Sequence, residues 1–197
     1  MISLPLVVST FGIIFLAELP DKTALSSLML AARHGARPVI IGAWLAMILQ
    51  TIIAVLAGGV LNLLPAEPVR IFSGACFMLF AVFMIVRKEE TNEAKELVRE
   101  EEREVKRGRP VWFASFLVLF GTEWGDLSQL ATAGIVAHQG HPLSVGIGAA
   151  LALCTVVALA AVLGSRMSKV IPTKQLKIVS AILFALMGIA MIYSAFA

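Results

Sequence analysis

Glu18-Leu19-Pro20-Asp21-Lys22-Thr23 stands inside an apolar run, from Ile2 to about Ala32, that carries no other charge. At mid-bilayer each of its three charged residues would cost about 2.5–3.5 kcal/mol. Such residues are not kept for contact with lipid. A second copy, Glu123-Trp124-Gly125-Asp126-Leu127-Ser128, stands in the middle of another apolar run. We read the two copies as facing each other around a hard metal cation inside a membrane transporter.

The rest of the chain suits that setting. Of 197 residues, 59% are hydrophobic and only 15% are charged, where soluble chains carry about 25% charged residues. The mean hydropathy is +0.91. Apolar blocks long enough to cross a bilayer, about 20 residues each, fall at about 3–31, 39–61, 70–86, 111–136, 143–163 and 177–196. The expected fold is an all-α polytopic membrane protein of six transmembrane helices. Pro5 suits a first helical turn, and this first helix is expected to be retained rather than cleaved as a leader. The net charge of +3 gives no case for nucleic acid, because half of the basic residues lie in one linker beside eight acids. Cys76 and Cys154 lack metal-type spacing and read as buried small hydrophobes.

The linker, Arg87 to Arg109, is expected to be a solvated helix, with Glu102–Lys106 and Glu96–Arg99 spaced as ion pairs. Basic residues concentrate there, in the turn with Arg33 and Arg37, and in the stretch with Arg166, Lys169 and Lys174. Cytoplasmic loops carry the excess positive charge. Both termini are therefore expected outside and the linker inside, in the inner (plasma) membrane.

The halves also align. Phe15 meets Phe120, Glu18 meets Glu123, Asp21 meets Asp126 and Thr23 meets Ser128; with small offsets, Gly42 meets Gly146. Three spans per half is an odd number, so the second half inserts upside down, a recurring plan of secondary transporters. The expected divisions are a first repeat over 1–86, the charged linker over 87–110 and the inverted repeat over 111–197.

Of the thirteen acids, eight are in the linker and Glu67 is in a loop; the others are Glu18, Asp21, Glu123 and Asp126. Spacing i,i+3 puts each pair on one helical face, and Pro20 and Gly125 loosen the helix beside them. Interrupted segments at matching places point to a transport site. Carboxylates with Thr23, Ser128 and Gln129 as neutral oxygen donors suit Mg²⁺, Ca²⁺ or Mn²⁺. Burial and mutual repulsion disfavour four ionised acids together, so the empty site holds protons that a divalent cation displaces. Lys22 serves as an internal counter-ion in this scheme, or else reaches toward an interface.

The paired motifs, Glu-x-x-Asp-Lys-Thr and Glu-Trp-Gly-Asp-x-Ser-Gln around a charged central loop, resemble Uncharacterised Protein Family 0016. That family comprises Golgi and bacterial cation/proton exchangers associated with manganese and calcium. The resemblance covers nearly the whole chain. It implies functional roles for Glu18, Asp21, Lys22, Thr23, Glu123, Asp126 and Ser128, with export of Mn²⁺ first and Ca²⁺ second. Pro20 stands where the family has glycine, and Leu127 where it has a basic residue.

The expected partners are a divalent ion and the bilayer; no enzyme activity and no cofactor are expected, and a homo-oligomer is left open. Competing readings are an exporter of an organic cation or amino acid, a passive channel, and an intramembrane enzyme holding metal against a lipid phosphate. Secondary expectations attach to His138 and His141 (outer-mouth metal or a polar helix end), Trp112 (interface belt) and Trp124 (site wall or packing). Gly146, Gly148, Ala149 and Ala150 suggest close helix contact.

Overall fold

The computed structural model describes residues 2–19, 21–86, 90–166, 182, 185–186, 188–193 and 195. Among them the regular structure is all helical. In order they form α1 (Leu4–Glu18), α2 (Lys22–His34), α3 (Ala36–Leu61), α4 (Ala66–Val86), α5 (Glu90–Lys106), α6 (Val111–Thr122), α7 (Leu127–Gln139) and α8 (Pro142–Arg166). The expected sixth span, 177–196, falls largely outside the described residues.

Among the described residues two helices, α3 and α8, are long and apolar enough to cross a bilayer. The pair α1 and α2, bent by 69°, makes a third if it is one span. The interruption expected beside the acids is a full break in the first and fourth apolar runs. Both apolar runs break at their acidic motifs, giving α1/α2 and α6/α7. The reason is local. Asp21 and Asp126 take extended backbone (ψ 161° and 163°) as N-caps of α2 and α7, and Gly125 turns with φ 77°, a region open to glycine at little steric cost.

Along α3 and α8 alanines line much of the inward face, beside Met47 and Leu153, while many large apolar side chains face outward. Ala43, Ala46 and Ala54 of α3 and Ala149, Ala152 and Ala161 of α8 are buried, while Ile41, Ile48, Ile52, Leu56, Leu143 and Leu151 are exposed. Soluble folds bury such large apolar side chains; this arrangement suits acyl chains outside and close helix packing within.

The two long helices cross the two broken ones. α3 packs on α6 and α7, α8 packs on α1 and α2, and α3 and α8 pack on each other. Glycines mark the crossings in matching pairs. Gly42 lies against Trp112 and Ser115 of α6, and Gly148 against Val7 and Thr10 of α1; Gly58 lies against Ala133 of α7, and Gly164 against Leu28 of α2. The packing therefore pairs Gly42 with Gly148, correcting the pairing with Gly146. Gly146 meets Val55 instead. The cysteines are half-buried rather than fully enclosed.

The linker is helical but is not simply solvated. α5 packs on α2 and α6, burying Ala94, Leu97, Val98 and Glu101 along one face. Arg33 of α2 pairs with Glu102, and Arg109 pairs with Glu104 at 2.5 Å. Glu101 sits in the middle of the apolar stripe, 1% exposed, and its Oε2 has no hydrogen-bond partner. Burial pushes its carboxyl up to about 8. A group raised on docking favours the docked state below its ordinary value, and that advantage is lost as pH rises toward the docked value. Protection of α5 amides from exchange, corrected for intrinsic rates, should accordingly fall between pH 4.5 and about 8 and level off above it. Glu101→Gln should flatten that dependence.

Candidate metal centre at two broken helices

Each broken helix ends in a glutamate and restarts after an aspartate. Glu18 is the last residue of α1, while Glu123 is the C-cap of α6; Asp21 and Asp126 precede the first residues of α2 and α7. The two acids of a pair thus do not share one helical face, contrary to the i,i+3 expectation. The bend, rather than a helix surface, brings them together. Both aspartates are N-caps without a side-chain capping bond to the helix backbone; Asp21 Oδ2 accepts from Thr23 Oγ1 at 3.4 Å.

At the breaks the halves meet. One carboxylate oxygen each from Glu18, Asp21 and Asp126 lie within 4.8 Å of one another. Glu18 and Glu123 are buried, at 5% and 3% exposure. Thr23 Oγ1 donates to Glu123 Oε1 at 2.6 Å, across from one half to the other. Ser128, the counterpart of Thr23, stands within hydrogen-bond reach of Glu18 and donates to Asp126 Oδ2 at 3.5 Å. Thr23 thus joins the two halves at Glu123, while Ser128 lies close to Glu18 from the other side.

Lys22 Nζ lies 3.6 Å from Glu123 Oε1 and 4.0 Å from Asp126 Oδ1. With a side chain only 13% exposed, it is held inside and does not reach toward an interface. Its charge offsets part of the acid cluster, and such buried pairs need every partner in place. The converging carboxylate oxygens of Glu18, Asp21 and Asp126 suit a hard divalent cation; Glu123 stands beside them, held by Thr23 and Lys22. Half-helix ends of this kind hold ions in other transporters.

Three expectations fare differently. Gln129 lies at the break, but its Oε1 accepts the Gly125 N–H at 2.7 Å and its Nε2 reaches Gln50 O at 3.5 Å. Its oxygen is thereby engaged in holding the turn. Trp124 is 61% exposed and stacks edge-on with Phe120, so packing, not walling the site, is its observed place. His141 is exposed, while His138 is half-buried near the end of α7.

Sequence reading missed Gln50. It is buried in α3, and its Nε2 donates to Phe120 O at 2.9 Å and Leu119 O at 3.4 Å. A lone carboxamide within span 39–61 was the available signal.

The family model described as "Divalent cation/proton antiporter GDT1" matches the chain twice, over residues 6–92 and 111–197. Each match contains one acidic motif. GDT1-like protein 2, chloroplastic, of Oryza sativa subsp. japonica is 27% identical over 95% of this chain and 61% of its own length. Protein PAM71-homolog, chloroplastic, of Arabidopsis thaliana is 27% identical over 95% of this chain and 59% of its own. The GDT1-like protein sll0615 of Synechocystis is 28% identical, covering 90% of this chain and 91% of the relative. The chain spans about three fifths of the length of the chloroplastic relatives it matches. No solved structure matches it. With a family model that repeats over both halves and one acidic break in each, the chain belongs to the GDT1 divalent cation/proton antiporter family.

Proposed function

We propose that this protein exchanges a divalent cation, Mn²⁺ first and Ca²⁺ second, for protons across the inner membrane and exports the metal from the cytosol. The observation that carries the reading is the meeting of Glu18 and Asp21 with Asp126 within 4.8 Å, at the junction of the two halves. Six spans form two inverted triplets, 1–86 and 111–197, joined by a cytoplasmic linker over 87–110. The matching glycine crossings and the double family match support that plan. Both termini then lie outside, as the distribution of basic residues favours.

In the mechanism, Glu18, Asp21, Glu123 and Asp126 bind the cation with Thr23 and Ser128. Four ionised acids beside one lysine would leave a large uncompensated charge in a dry site. Protons therefore occupy some carboxylates when the cation leaves, and the cation displaces them when it returns. Lys22 keeps the emptied cluster together by pairing with Glu123 and Asp126. Gln129 is reserved for the turn rather than the cation.

Everted vesicles test this directly. With an imposed pH gradient they should accumulate radioactive Mn²⁺, and collapsing the gradient with a protonophore should stop it. Uptake unaffected by the gradient would point to a channel. Amino-acid or organic-cation uptake without metal uptake would point to the other transporter reading.

A further inference from the structure

The two breaks are built alike but held differently. In the second half, Phe120 O belongs to the last turn of α6, where carbonyls lose their helical partners; Gln50 Nε2 reaches it at 2.9 Å. Gly125 N–H, exposed by the φ 77° turn, is taken by Gln129 Oε1 at 2.7 Å. Gln129 Nε2 then reaches back to Gln50 O at 3.5 Å. Two carboxamides thus tie the Glu123–Asp126 elbow to α3.

The glycine crossings give the corresponding positions in the first half. Pairing Gly42 with Gly148 and Gly58 with Gly164 places Val156 of α8 where α3 has Gln50. The motif alignment places Ala24 where α7 has Gln129, and Pro20 where the second half has Gly125. Proline has no N–H to satisfy, so no carboxamide is needed there. Val156, Ala24 and Ala160 instead form an apolar cluster with Phe15, Leu19 and Leu28. Phe15 O is satisfied locally by the Leu19 N–H at 3.1 Å. Apolar contacts are non-directional and tolerate sliding; a directed amide network fixes one geometry.

We propose that Gln50 and Gln129 are positioning residues that hold the second elbow still, so that the first elbow, carrying Glu18 and Asp21, moves against α8 during exchange. The inference rests on the exchange reading above. It assigns unequal tasks to two halves that the motif alone would make equivalent. Glu123 and Asp126 form the fixed side of the cation site, and Glu18 and Asp21 close on it.

Two kinds of variant separate these tasks. Gln50→Met and Gln129→Leu remove the ties while keeping side-chain bulk. They should raise the KM for Mn²⁺ about tenfold, the scale of leaving a buried polar group unpaired, and leave the maximal rate nearly unchanged. The pair Ala24→Gln with Val156→Gln installs carboxamides at the first elbow and should slow the maximal rate with little change in KM. An unchanged KM in Gln50→Met and Gln129→Leu, or the same kinetic change from both sets, would overturn the assignment.

Thiol labelling needs no transport and covers variants that fold poorly. Leu19→Cys and Trp124→Cys are made separately in a protein carrying Cys76→Ser and Cys154→Ser. Mn²⁺ should change the labelling rate at position 19 by several-fold and leave position 124 unaffected; the reverse pattern, or no change at either, refutes the inference. Absence of exchange by the unaltered protein would refute the exchange reading itself, and the labelling contrast would still stand or fall alone.

Discussion

Glu123→Gln and Asp126→Asn should each reduce proton-driven Mn²⁺ uptake by at least about 100-fold while the protein still inserts and melts as one species. A buried site that loses a charged ligand forfeits both the ion contact and the balance with its counter-charge, an effect of about 3–5 kcal/mol for broken buried pairs. Glu123 is 3% exposed, accepts from Thr23 and lies 3.6 Å from Lys22. The amide in Glu123→Gln keeps the volume and an acceptor for Thr23, so the fold persists. It removes the charge that Lys22 and the cation share. Glu18→Gln and Asp21→Asn should do the same from the other half. Uptake within about twofold of the unaltered protein by any of the four would remove that carboxylate from the site.

Gly58→Val and Gly164→Val should cost about 3 kcal/mol or more, at the upper end of overpacking effects. A Cβ at Gly58 would meet Ala133 O at 2.5 Å and Val136 Cβ at 2.7 Å; at Gly164 it would run into the Leu28 carbonyl. Backbone atoms cannot give way as flexible side chains do, so the helices must separate. These crossings set how far α2 and α7 stand from the long helices, and hence where Thr23 and Ser128 sit. The adjacent Gly59 has nothing within 4 Å of its would-be Cβ. Gly59→Ala should therefore be neutral or stabilise by up to about 1 kcal/mol from helix propensity. Thermal melting in detergent reads all three.

The acid cluster was legible because apolar runs make any charge conspicuous: only Glu18, Asp21, Glu123 and Asp126 fell inside them. The breaks were legible only in part. Pro20 and Gly125 marked where the helices loosen, but hydropathy sums over a window and gave no sign that the runs break fully. The aspartates before Lys22 and Leu127 carried the boundary signal, since Asp is a favoured N-cap. Docking of α5 was hidden by the linker's sixteen charges, although Ala94, Leu97, Val98 and Val105 recur at helical spacing. Gln50 was passed over because a single carboxamide in a long apolar helix predicts burial without naming its partner. The Phe120 carbonyl it serves lies at the end of α6, and its place there follows only from the break.

The central claim, that the halves share a single cation, is tested most directly by counting Mn²⁺ bound to purified protein by equilibrium dialysis. One ion per chain is expected, and either Asp21→Asn or Asp126→Asn alone should abolish its binding. Two ions per chain, with each substitution removing only one, would mean that each half holds its own and would contradict the account.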